Sequence, residues 1–167
     1  MAAPNIQQTD LSLSGLMPGN TGIGVGLWPI PFPVVLAGLA GTNNVVTGYA
    51  FGFTGRIITV QYIPIIPVTT AAKAATITPS LGGVNLTAAS GNGGALALTS
   101  ANCAAGQGPV TGTAITGGNS FGPTTLFAMV LSSVTAFAEG SGVIFVTVYN
   151  DDLRNAVALA FSGLRNP

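Results

Sequence analysis

Neither Leu11–Gly55 nor Ala74–Ala138 contains a single charged side chain. The 167-residue chain carries four basic and four acidic residues and no histidine, whereas about a quarter of the residues of a soluble domain are charged. A fold built from this chain lacks the charge that clothes an ordinary solvated exterior. Its surface is therefore expected to be covered largely by copies of itself or by a partner. Acid–base chemistry near neutral pH also lacks its usual carriers. A net charge of zero gives no electrostatic footprint for nucleic acid or anionic lipid. These features predict a building block and not an enzyme, with no cofactor and no small-molecule substrate.

Twenty-four glycines and eleven prolines supply many turns, and Ala, Thr, Val and Ile fill the segments between them. That mixture suits short strands better than helices. An apolar content of 48% is too high for a disordered chain. Arg56–Ile63 alternates, with Ile58, Val60 and Tyr62 assigned to one face and Thr59 and Gln61 to the other, the period of a half-buried strand. Pro64 and Pro67 are expected to end it or to place it at an edge. Further strands are predicted at Val46–Phe53, Ala74–Pro79, Val84–Ala88, Leu126–Leu131, Val134–Ala138 and Val143–Tyr149. Ser100–Thr125, rich in glycine, reads as long loops around one or two weak strands. Glu139–Gly142 reads as a hairpin turn. Seven or eight short strands with glycine turns predict a two-sheet sandwich.

Residues 1–45 read as an extended apolar arm, 46–149 as the sandwich body and 150–167 as a tail. Gly22–Gly41 is uncharged and mostly apolar, but Pro29, Pro31 and Pro33 exclude a membrane-spanning helix, because each removes a backbone donor and forces extended geometry before it. Leu27, Trp28, Ile30 and Phe32 lie on this proline-stiffened segment and form the candidate interface, expected to strap across a neighbouring body or subunit. In the tail, Asn150 or Asp151 is placed to cap a short helix; a final strand is the alternative.

The remaining motifs have ordinary structural readings. Gly22, Gly24 and Gly26 do not make a dinucleotide fingerprint, since Trp28 and three prolines follow in place of a helix. Lys73, the only lysine, lies among alanines and is no phosphate-binding lysine. Asp151 and Asp152 are adjacent and point apart on an extended chain, which suits a turn or cap better than a metal site. Asn85-Leu-Thr87 matches a glycosylation triplet, but no basic segment precedes the first apolar stretch as a secretion signal requires. Cys103 has no neighbouring base or cation to activate it and reads as a packed filler in a protein made in a reducing cytoplasm. Arg56 is either solvated at its strand start or paired across subunits with Glu139 or Asp10, since an isolated buried charge is costly.

The segments Gly55-Arg-Ile-Ile-Thr-Val60, Thr70–Thr78, Leu81-Gly-Gly-Val84, Leu126–Leu131 and Glu139–Val148 occur in an order that resembles the capsid decoration (cement) proteins of tailed bacteriophages. The resemblance covers Val46–Tyr149 and is one of pattern and composition. It implies a jelly-roll-like sandwich assembled as a homotrimer on the outer surface of an icosahedral head, after synthesis in the host cytoplasm. The implied partners are the major capsid protein and further copies of the chain. It brings no catalytic residues, and the Trp28–Pro33 segment departs from the family's minimal pattern. The competing readings are another virion component (a head-fibre base, a tail protein or a jelly-roll shell protein) and a carbohydrate-binding sandwich module.

Overall fold

In the computed structural model, which describes residues 26–39, 44–153 and 155, the alternating segments become ten antiparallel strands. They are β1 (Leu27–Val35), β2 (Asn44–Ala50), β3 (Gly55–Ile66), β4 (Ala74–Leu81), β5 (Val84–Asn85), β6 (Leu96–Thr99), β7 (Val110–Thr111), β8 (Ser120–Phe121), β9 (Leu126–Thr135) and β10 (Ser141–Asn150). One sheet runs β1-β10-β3-β7, with β8 also on β3; the other runs β2-β9-β4-β5, with β6 also on β4. The chain crosses between the sheets at each step from β1 to β4, again from β6 to β7 and from β8 through β9 to β10, and β10 returns between β1 and β3. This order, β1-β10-β3-β7 over β2-β9-β4-β6, is that of a jelly roll, two Greek keys closed on each other. The expected all-β sandwich is the observed fold.

The two sheets close on one core. Ile57, Val60 and Tyr62 of β3 and Ile144, Val146 and Val148 of β10 face Ile77 of β4, Leu96 and Leu98 of β6, and Phe127, Met129 and Leu131 of β9, all fully buried. Strand β10 shows the cause most plainly: its residues alternate half-buried and buried from Ser141 to Val148, as side chains on a pleated strand point to opposite faces.

Bulges revise three details of the strand assignments. Between Thr147 and Val148 the β10–β3 register slips, so Ile57 takes the core position and Ile58 turns outward at 39% exposure. Leu126–Leu131 and Val134–Thr135 belong to one strand, β9, joined across a register shift where Ser133 has φ of 52°; residues 136–138 are not strand. Pro64 sits inside β3 opposite Gly142. Gly112 N–H donates to Val60 O, so the even positions of β3 look toward β7, and Pro64 lies past the last β7 pair at Tyr62, where no donor is needed.

The arm requires the largest correction. Leu27–Val35 is the edge strand of the chain's own first sheet, paired with β10 from Leu27↔Tyr149 to Val35↔Ser141, so the body begins at least as early as Leu27. Residues 1–25 lie outside the described residues. The segment could be mistaken for a free strap because proline at every second position is forbidden inside a sheet but permitted at its edge. At the other end, Asp151–Leu153 forms a helical turn whose cap is Asn150: its Oδ1 accepts the Leu153 N–H at 2.9 Å. The rest of the predicted tail, apart from Asn155, lies outside the described residues.

Candidate interaction surface

The outer side of the β1-β10-β3 sheet is built from the strand positions that leave the core. Reading across the strands, the rows are Leu27–Tyr149–Arg56, Pro29–Thr147–Thr59, Pro31–Phe145–Gln61, Pro33–Val143–Ile63 and Val35–Ser141–Ile66. Four of these five rows carry no charge. At the end formed by Val35, Ile63, Ile65 and Ile66 the face is strongly apolar and open, with Val35 at 65%, Ile65 at 67% and Ile66 at 57% exposure. Exposed large aliphatic groups placed side by side are informative where scattered single ones are not.

The opposite end carries the one charge of these rows, and it is neutralised within the chain. Arg56 Nη2 lies 3.1 Å from Asp151 Oδ1, and the guanidinium carbon sits 5.4 Å from the centre of the Tyr149 ring. Arg56 is 43% exposed at its strand start, as the solvated reading has it, and its partner within the chain is Asp151, on the turn that follows β10, and not Glu139. Asp10, the other expected partner, lies outside the described residues.

The other carboxylates of the described residues are also committed to the backbone. Asp152 Oδ2 accepts the Thr54 N–H at 2.8 Å. Glu139 Oε1 accepts four bonds, from the N–H and hydroxyl of Thr69 at 2.7 Å each and from the N–H and hydroxyl of Thr70 at 2.6 and 3.0 Å. Those donors, led by the Thr69 hydroxyl, hold the Glu139 carboxyl down at about 2. Such a group is a fixed acceptor and not a proton carrier.

The outer side of the second sheet has a different character. Thr76, Ala97, Val130, Ser132 and Ala128 present small or hydroxyl-bearing groups, again without charge. Beside it an open groove of about 670 Å³ runs between Gly48, the Gly82–Gly83 turn, Thr124, Thr125 and Leu126, with no titratable side chain in its wall.

The sequence-predicted site residues do not form one docking strip. Ile30 and Phe32 pack against the chain's own core, and Trp28, on the same side of β1, stays 46% exposed. The Trp28 ring meets Phe53 edge-on at 5.3 Å, and Phe32 meets Tyr49 at 5.3 Å and Phe127 at 5.8 Å. Leu27 alone of the four lies on the outer side, in the row of Tyr149 and Arg56. Sequence reasoning missed the exposed group Val35, Ile63, Ile65 and Ile66; the signal was the parity of β1, whose prolines share a side with Val35. Cys103 is fully buried, as expected of a filler. Among the described residues, no three His, Cys, Asp or Glu side chains are grouped to hold a metal ion, and no helix is long and apolar enough to cross a membrane.

No family model, curated protein or solved structure matches this chain.

Proposed function

We propose that this chain is a structural virion protein, a capsid decoration subunit that binds the outside of an icosahedral phage head as a homotrimer and stabilises the contacts between capsomers. The observation that carries this reading is the outer face of β1-β10-β3, uncharged in four of its five rows and apolar at its Val35, Ile63, Ile65 and Ile66 end, on a jelly roll whose carboxylates, among the described residues, all serve as structural acceptors. An adhesive protein with such a surface avoids the cost of stripping water from charges. Apolar contact contributes about 25 cal/mol per Å², set against about 4–15 kcal/mol for immobilising the partners. Several modest contacts made by one trimer then give slow release. The resemblance of Val46–Tyr149 to cement proteins supports the same reading.

The orientation of the aromatic side chains weighs against a carbohydrate-binding module. Phe32, Phe51, Phe53, Phe121 and Phe127 contact one another in the sandwich interior, where they offer no platform for a sugar ring. The exposed Trp28 (46%) and Tyr49 (40%) each stand edge-on to another ring.

Incubating the purified protein with heads that lack it tests the proposal. Saturable co-sedimentation with heads, and a higher temperature of DNA release from the decorated particles, are the expected results. Absence of binding to heads, or saturable binding to a glycan instead, would overturn it.

A further inference from the structure

A chain with so little charge cannot guard its sheet edges with lysine, the usual device against strand addition. We infer that Pro29, Pro31 and Pro33 close the edge of β1 that is unpaired among the described residues, so that copies of this chain associate through the outer face of β1-β10-β3 and not by pairing strands at this edge. The inference rests on the proposed function in taking self-association as given, and it names the surface that mediates it.

The edge follows from ladder geometry. In an antiparallel pair the N–H and C=O of one residue point to the same neighbouring strand, and successive residues point to opposite neighbours. Proline has no N–H, so β1 bonds β10 through Trp28, Ile30, Phe32 and Val34, whose register partners are Val148, Val146, Ile144 and Gly142. The odd positions therefore look to the free edge. Of those, 29, 31 and 33 have no donor, which leaves only Leu27 and Val35 at the strand ends. An incoming strand would find carbonyls without the N–H groups that complete a ladder.

The other edges are blunted by different means. Strand β2 breaks register twice against β9 and contains Gly48 at φ of 67°. On the far sides, β5, β7 and β8 are two residues each and β6 is four. Short, bulged or proline-bearing edges resist pairing, and they leave the faces as the available route.

Charge selects the partner. A face whose apolar half has no charge is matched by a surface that also has none, since an unpaired charge buried against it is costly. The same half-face on a second copy meets that requirement. Arg56 and Asp151 stand at the far end of the sheet, so three copies that bring the Val35, Ile63, Ile65 and Ile66 end to a common axis leave this pair in water.

The test uses the full-length protein and light scattering at micromolar concentration. The wild type is expected as a discrete oligomer whose size is unchanged by a few hundred millimolar salt. Ile63→Lys/Ile65→Lys/Ile66→Lys is expected to be monomeric with an unaltered far-UV spectrum, while Val84→Lys, on the other sheet, keeps the wild-type size. Pro29→Thr/Pro31→Thr/Pro33→Thr is expected to give at least about tenfold more sedimentable protein, with thioflavin binding and the strand spacing of about 4.8 Å in diffraction. Pro31→Thr, which restores one central donor, should give the same product more slowly. A monomeric wild type, a face variant of wild-type size, or proline variants that stay discrete or sediment without that spacing would overturn the inference. Head binding is scored separately: its failure with oligomers intact contradicts the proposed function alone, and monomers that still bind heads contradict this inference alone.

Discussion

Arg56 and Asp151, 95 residues apart, join at 3.1 Å and tie the start of β3 to the helical turn after β10. The pair is partly exposed, at 43% and 25% of the two side chains, so its contribution is of the surface kind, about 0–1 kcal/mol. Asp151→Asn is expected to lower the unfolding free energy within that range in urea titrations at low salt, and the difference should vanish near 1 M salt, where the Debye length is about 3 Å. A loss that persists at high salt would show that Asp151 acts through its backbone neighbours and not through Arg56.

Glu139 sets the acid limit of the turn before β10. Its folded pKa of about 2 lies below its ordinary 4.5, so the unfolded state binds the proton more tightly. The stabilisation is therefore complete above about pH 4.5 and is lost as pH falls through about 2. Glu139→Gln is expected to flatten the stability profile across this window while leaving the profile above it parallel to that of the wild type. An unchanged slope between pH 4.5 and 2 would contradict the four-bond arrangement.

Tyr62 is fully buried, and its hydroxyl has no hydrogen-bond partner among the described residues. Burial, with the Cys103 thiol adding to it, pushes the phenol above its ordinary range. Leaving a buried polar group unpaired costs about 1–3 kcal/mol, so Tyr62→Phe is expected to be neutral or stabilising by up to about 1 kcal/mol. A clear destabilisation in equilibrium unfolding would reveal a partner for the hydroxyl.

Gly142 permits the close pairing of β10 with β3. A Cβ there would meet the Ile63 carbonyl oxygen and stand 2.6 Å from the Tyr62 ring. Gly142→Ala is expected to cost about 1–3 kcal/mol or more, as overpacking does. Gly38→Ala, where nothing lies within 4 Å of the new Cβ, should cost less than about 0.5 kcal/mol. Equal thermal midpoints for the two variants would contradict this packing.

Residues whose neighbours are set locally were legible in the sequence. The alternation of β3 from Thr59 to Tyr62 and the cap at Asn150 follow from spacing within a few residues. The hairpin expected at Glu139–Gly142 is instead a crossing from β9 in one sheet to β10 in the other, with Ser141 and Gly142 already in β10. What escaped depends on distant partners. Pro29, Pro31 and Pro33 make sense as a strand only once β10 lies on one side and, among the described residues, no strand on the other. The bulge at Ile57 and Ile58 is fixed by the Thr147–Val148 slip across the sheet, and it exchanged which isoleucine faces the core. Trp28 and Phe32 were read as docking groups because Phe53 and Tyr49, their actual neighbours, lie across a sandwich that spacing alone does not close. Arg56 drew attention as an isolated charge, but its partner stands at the far end of the chain.

A reconstruction of the intact particle decides whether this chain is a decoration subunit. Trimeric density of jelly-roll subunits is expected on the outside of the head, seated where capsomers adjoin, with the Val35, Ile63, Ile65 and Ile66 ends of three copies meeting at the trimer axis. Density for this chain on the tail, in the continuous shell, or nowhere on the particle would contradict it.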